Sequence, residues 1–282
     1  MEIKKLFFPI GGGDNFEDRL YGALLVSKAL KTHISFLASQ MDFSLVCNLE
    51  MALNRGNIFS TFKDTVISEL DDEKKRNYEI FSSLCDKLGI TISDKPVAGV
   101  PTAEFHTKEG VRSKVVEYEA KFCDMIVAAC PPEGEPTATF DSAVIKSGKN
   151  AIVIPRTLTE FKADNILIGW NGTSSISRAI TQSMFLLKNS KKVHIIVTNK
   201  YFQNEQTIEK DILEYLSFHG INATFEVVKT TSVPGEALLQ NALNGKFDMI
   251  IASSYGENGL KEMYLGGTTK YFLQNTPIPV FM

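Results

Sequence analysis

Tryptophan occurs once in the 282 residues, and histidine and cysteine four times each. None of Cys47, Cys85, Cys123 and Cys130 forms a C-x2-C pair, so zinc-ribbon and redox-motif readings have nothing to stand on. Free, mostly buried thiols are expected instead. His33, His106, His194 and His219 are scattered, with no nucleophile beside them and no ligand spacing, which leaves structural roles and no metal site. The net charge of −3 lacks the basic footprint of a nucleic-acid or anionic-membrane partner. No apolar run approaches the length that spans a bilayer. The apolar N-terminal stretch ends at a glycine cluster after Ile10, so it reads as a first strand and not as a signal peptide. A cytoplasmic protein is expected, with neither nucleic acid nor membrane as partner.

What the chain does have is short apolar runs alternating with stretches of helical period. Strands are expected at 6–10, 33–38, 90–97, 124–129 and 151–154. Helices are expected at 16–31, 59–88 and 107–122, with a short one at 142–147, and residues 130–136 form a proline-rich loop. Residues 41–55 are irregular or partly helical. After a polar stretch at 156–164 the pattern restarts. Strands follow at 165–169, 192–198, 222–228, 248–252 and 278–281, and helices at 174–187, 205–219, 234–243 and 260–274. The order β-α-β-α-β-α-β-α-β thus occurs twice. The match is closest where Asp124-Met125-Ile126-Val127-Ala128-Ala129 faces Asp248-Met249-Ile250-Ile251-Ala252-Ser253. Apolar strands between amphipathic helices predict parallel sheets covered on both faces. The expected fold class is α/β, with two tandem doubly wound domains, 1–158 and 164–282, each with a five-stranded parallel sheet.

Ligands of open α/β sheets bind beyond the carboxyl ends of the strands. In the second half those ends are Asn171-Gly172-Thr173, Val197-Thr198, and a stretch of small residues after Ala252: Ser253, Gly256, Gly259, then Gly266-Gly267-Thr268-Thr269. Glycines let the backbone approach a ligand closely, and a helix N-terminus offers N–H groups to an anion. The spacing Ser253-x2-Gly256-x9-Gly266-Gly267-Thr268 resembles the nucleotide-binding signature of the universal stress proteins, Gly-x2-Gly-x9-Gly followed by Ser or Thr. Ser253 replaces the first glycine, and Gly267 stands at the hydroxyl position. Tyr255-Gly256-Glu257-Asn258-Gly259, Glu262 and Gly266-Gly267-Thr268-Thr269 look like the variant carried by tandem members of that family.

The resemblance implies binding of ATP or another adenine nucleotide, with Mg²⁺ accompanying ATP, and little or no hydrolysis. The backbones of Gly256, Gly266, Gly267 and Thr268 would cradle phosphate, and Thr268 or Thr269 would add a hydroxyl. Asn171, Gly172 and Thr173 would line the opposite side, and Val197 and Thr198 would meet the adenine. The family typically has an acid where Asn171 stands, and asparagine brings no charge to Mg²⁺. Family domains commonly pair through their last strands, so 278–281 is the expected pairing surface, within the chain or in a homodimer.

The first half departs further. Gly11-Gly12-Gly13-Asp14 could wrap a phosphate, but Pro131-Pro132-Glu133 stands where the glycine cradle should begin. Prolines remove donors, and Glu133 and Glu135 repel phosphate; Thr137-Ala138-Thr139 remains. This half reads as a degenerate domain kept for pairing or for another ligand. The sequence shows no nucleophile–base pair, so binding and not catalysis is expected. The alternatives are a partner-binding scaffold without nucleotide and, on the faint likeness of Gly11–Asn15 to a pyrophosphatase loop, an ATP pyrophosphatase-like enzyme.

Overall fold

The computed structural model describes residues 2–40, 57–202, 207–229, 233–253 and 267–282. Its strands are β1 (Lys5–Ile10), β2 (His33–Gln40), β3 (Thr91–Ile92), β4 (Thr102–Glu109), β5 (Met125–Ala129), β6 (Ala151–Ile154), β7 (Asn165–Trp170), β8 (Lys192–Thr198), β9 (Ala223–Val228), β10 (Met249–Ile251) and β11 (Val280–Phe281). The longer helices are α1 (Phe16–Leu30), α2 (Asn57–Leu88), α3 (Arg112–Glu119), α4 (Ser174–Gln182), α5 (Ile208–Phe218), α6 (Pro234–Asn244) and α7 (Thr268–Asn275).

All eleven strands form one sheet, in the order β3-β4-β2-β1-β5-β6-β11-β10-β7-β8-β9. Neighbours run parallel except at the centre, where β6 and β11 pair antiparallel through Val153↔Val280 and Ile152↔Phe281. Apart from the two-residue β3, each side of that seam has five parallel strands in mirrored order. The expected surface at 278–281 is therefore used inside the chain. Each last strand covers the other, and neither is left as an open edge.

Successive strand residues point to opposite faces, so nearly continuous apolar strands feed two cores. Leu6, Phe8, Met125, Val127, Ile152, Ile154, Ile166, Ile168, Met249, Ile251 and Phe281 pack on one face with α1, α2, α4 and α5. Phe7, Ile126, Val153, Leu167, Ile250, Val280 and Met282 pack on the other with α3, α6 and α7. Fully burying one such side chain contributes about 1.5–3 kcal/mol, which is why both faces must be covered.

The repeat extends to single hydrogen bonds. Asp124 Oδ2 accepts from the backbone N–H of Lys4 (2.8 Å) and Lys5 (2.9 Å) at the start of β1. Asp248 Oδ2 accepts from Asn165 N (2.8 Å) and Asn165 Nδ2 (3.0 Å) at the start of β7.

Several expected boundaries are corrected. The strand expected at 90–97 is only Thr91–Ile92, an outer strip. The strand that pairs along the whole of β2 is Thr102–Glu109, which falls partly in the helix expected at 107–122. Pro96, Gly99 and Pro101 hide its start, and its mixed polar residues, only partly buried, mute the apolar run. The helix begins at Arg112. Proline-rich 130–136 contains a 3-10 turn, Pro132–Gly134, because a proline at a turn's first position sacrifices no needed N–H. The helix expected at 142–147 lies earlier, as Ala138–Phe140 followed by a π turn, Asp141–Ile145. The helix at 174–187 breaks at Ser183, whose hydroxyl donates back to Ile180 O (3.0 Å). The helix at 205–219 is described from Ile208 to Phe218, and that at 260–274 only as Thr268–Asn275. Residues 41–55, with Cys47, lie outside the described residues.

Candidate functional site

At the carboxyl end of β7 the chain turns at Gly172 (φ 75°), a left-handed conformation that suits glycine. Thr173 then caps α4, its Oγ1 accepting from Ile176 N at 3.4 Å. Asn171 holds this corner to the end of β10. Its Nδ2 donates to Ser253 Oγ at 2.8 Å, and its Oδ1 accepts from Thr173 Oγ1 (2.8 Å) and Thr173 N (3.3 Å). Both ends of the amide are engaged and its orientation is fixed. Trp170 is partly buried against the core beside it. Val197 and Thr198, at the end of the adjacent β8, are buried.

The N-terminus of α7 reaches the same edge of the sheet. α6 follows β9, so its first turn lies at the carboxyl edge, and there Gly235 meets α7. A methyl group on Gly235 would stand 2.9 Å from Thr268 Cα and 3.0 Å from Thr268 O, so only glycine permits the contact. Gly267 precedes the helix in an extended conformation, and no side chain among the described residues caps it. The first amides of α7 are left to a capping partner or a ligand. Thr269 is buried. The structure therefore gathers Asn171, Gly172, Thr173, Val197, Thr198, Ser253, Gly267, Thr268 and Thr269 at one edge of the sheet. Gly256, Gly259 and Gly266 lie outside the described residues.

α7 also touches the first half. A Cβ on Gly134 (φ 71°) would fall 2.7 Å from Gln274 Cα and 2.8 Å from Gln274 N, and Lys270 Nζ pairs with Glu135 Oε1 at 2.9 Å. The proline turn of the first half thus braces the helix of the second.

The counterpart edge of the first half is built differently. Arg19, buried on α1, donates to Gly11 O (3.1 Å), Gly13 O (3.1 Å) and Gly12 O (3.5 Å) from its terminal nitrogens, and to Asn15 O (3.3 Å) from Nε. Arg156 donates to Cys130 O (3.2 Å) and to Asp14 O. Arg112 reaches the same loop, with Nη1 3.4 Å from where a methyl on Gly12 would stand. Burial, then the charges of Arg156 and Arg112, push the Arg19 guanidinium below its ordinary pKa, against the pull of Asp14. A cavity of about 40 Å³ sits among Gly11, Gly12, Arg19, Cys130, Thr137 and Arg156.

The three arginines were missed in the sequence. One signal was available: with α1 starting at Phe16, Arg19 shares a helix face with Ala23 and Val26, both fully buried. A charged residue in that stripe needs a polar partner.

Among the described residues no three of His, Cys, Asp and Glu group as metal ligands. No helix of the described residues is long and apolar enough to cross a membrane.

Residues 198–282 match the model of the universal stress protein family. No curated protein matches the sequence. Among solved structures, a universal stress protein from Archaeoglobus fulgidus DSM 4304 superposes with TM-score 0.69 at 14% identity, covering 100% of this chain and 98% of that one. A putative universal stress protein from Pseudomonas aeruginosa UCBPP-PA14 gives TM-score 0.52 at 12% identity, covering 99% and 92%. These likenesses speak to the fold, and they run through both halves.

Proposed function

We propose that the second half, whose residues 198–282 match the universal stress protein family model, binds an adenine nucleotide, ATP or a close relative, and does not turn it over. The observation that carries this reading is the hydrogen-bonded corner of Asn171, Ser253 and Thr173, set at the same sheet edge as the start of α7, which no side chain of the described residues caps. Hydroxyls, an amide and helix-terminal N–H groups are what a ribose and a phosphate chain require. Thr268 and Thr269 begin the helix that would face phosphate, and Val197 and Thr198 end the strand beside it.

The fit is to the nucleotide more than to its metal. Asn171 supplies an amide where a carboxylate would be needed to hold Mg²⁺, so any Mg²⁺ would rest on the phosphates themselves. No nucleophile–base pair adjoins the corner among the described residues, and retention without hydrolysis is the expected behaviour. The setting would be cytoplasmic, with the chain acting through its ligand-bound state.

The test is mass spectrometry of small molecules released on denaturing the freshly purified chain, with titration of ATP into the stripped protein. About one equivalent of ATP, ADP or AMP per chain supports the reading. An empty protein that shows no thermal shift with millimolar ATP overturns it. That outcome would favour a second reading, a scaffold without nucleotide, for which the Asn171 amide speaks: three of its hydrogen bonds are already made within the corner.

A further inference from the structure

We propose that the first half carries a second, different site: a compact oxyanion site for a phosphate- or sulfate-sized group, formed by Arg19, Arg112 and Arg156 around the Gly11–Gly13 loop.

The argument starts from charge. Arg19 is buried, and its guanidinium meets only the neutral carbonyls of Gly11, Gly12, Gly13 and Asn15. Arg156 is likewise held by carbonyls, those of Cys130 and Asp14. Arg112 stands at the same loop, beside Gly12. Among the described residues no carboxylate forms an ion pair with any of the three; the recorded ion pairs use lysine or histidine. Asp14 is the one acid whose charge opposes theirs at Arg19. Carbonyls satisfy the donors but leave the charge, and concentrating like charges beside a buried cation is costly unless an anion completes the set.

The site also has space and shape. The cavity of about 40 Å³ takes a few waters or one tetrahedral oxyanion, and it is far too small for a nucleoside. Arg19 uses its fork on the loop carbonyls and contributes charge. The hydrogen bonds to an oxyanion would come from Arg112 and from the remaining N–H groups of Arg156, guanidinium being the side chain whose planar fork suits oxyanions best. Gly13 (φ 95°) turns the loop, and a methyl there would stand 3.3 Å from Pro132 Cγ, so the loop packs closely on the proline turn. The first half has thus exchanged a backbone cradle for a side-chain one. This inference is independent of the nucleotide reading of the second half.

The experiment is calorimetric titration of inorganic phosphate, and separately sulfate, into the full chain in chloride buffer at fixed ionic strength. Four proteins are compared: wild type, Arg112→Gln, Arg156→Gln and the exposed charge control Lys210→Gln. The expected result is saturable binding at millimolar concentrations or tighter. Both arginine variants should weaken it at least tenfold, and Lys210→Gln should leave it unchanged. Arg112 is exposed, so its variant folds even if Arg156→Gln does not. No arginine-dependent heat, or equal loss in Lys210→Gln, overturns the site. Arginine-dependent binding of ATP that is much tighter than that of phosphate also overturns it, because it would make this a nucleotide site. Failure of ATP to bind anywhere, with phosphate binding intact, sinks only the nucleotide proposal.

Discussion

His33 Nε2 on β2 lies 3.5 Å from Glu104 Oε1 on β4, while its Nδ1 meets Thr102 Oγ1 at 2.9 Å. The second half repeats the arrangement, with His194 Nε2 3.4 Å from Glu226 Oε2 and Nδ1 2.6 Å from Thr224 Oγ1. In each half the histidine lies in the first half of the second strand of the repeat, the threonine is its register partner, and the glutamate lies two residues further on. The first copy is buried and the second is more open.

The buried copy predicts acid sensitivity. The hydrogen bond from His33, helped by Ser35 and Lys5 against the cost of burial, lowers the Glu104 pKa from 4.5 to about 2. A carboxylate with a depressed folded-state pKa stabilises the fold fully above its unfolded value, and that contribution is lost as pH falls from about 4.5 toward 2. Glu104→Gln should therefore cost about 1–2 kcal/mol at pH 7, allowing for solvent screening. The gap should close on acidification. Urea midpoints of both proteins at neutral pH and near pH 3 check this; a gap that stays constant would show that the charge is not the cause.

Gly134 is predicted to be irreplaceable. Its positive φ is strained for any other residue, and an added methyl would collide with the backbone of Gln274 on α7. Strain of this kind costs about 1–3 kcal/mol, before α7 is displaced. Gly134→Ala should lower the thermal midpoint and, because α7 starts at the candidate site, weaken ATP binding in the other half of the chain. Unchanged ATP affinity in a destabilised variant would mean that the brace is only structural.

How far this molecule could be read from its sequence follows from where its signals are local. The strands at 151–154 and 192–198 were legible to the residue, since each is a short apolar run between clear breakers. The repeat was visible in Asp124-Met125-Ile126 and Asp248-Met249-Ile250. The strand at 102–109 was not, because its partner β2 and its cover α2 supply the burial that its own mixed composition does not announce. The site in the second half was legible as a set of strand ends, but the tie between Asn171 and Ser253 joins residues 82 positions apart and needs the fold. The same holds for Arg156, whose contact with Asp14 spans 142 positions.

Asn171→Asp tests the metal question directly. The new carboxylate would keep the hydrogen bonds from Thr173, whose hydroxyl and N–H both point at Oδ1. The amide that donates to Ser253 would be replaced by an acceptor, and the Ser253 hydroxyl can turn to donate instead. A charge at this corner repels phosphate without a metal and recruits Mg²⁺ with one. ATP affinity of the variant should fall about tenfold in EDTA and recover with Mg²⁺, whereas the parent should respond much less to Mg²⁺. Calorimetry in the two buffers decides it. Equal Mg²⁺ dependence in both proteins would place the metal-binding groups elsewhere.

The cysteines allow a chemical test of the packing. Cys85, Cys123 and Cys130 are buried, and burial pushes each thiol up to about 12. Cys123 also donates to Ala120 O at 3.2 Å. Only the thiolate attacks a disulfide reagent, so at pH 8 these groups are both shielded and protonated. In a Cys47→Ser variant, where they are the remaining thiols, native protein should react with an aromatic disulfide reagent at least a hundredfold more slowly than the protein in denaturant, which should release three equivalents. Because Cys130 packs at the end of β5, beside the arginine cluster, its reactivity also reports on that corner. Adding phosphate should slow whatever native reaction it shows, and Arg156→Gln, which removes the positive charge that favours the Cys130 thiolate, should slow it as well.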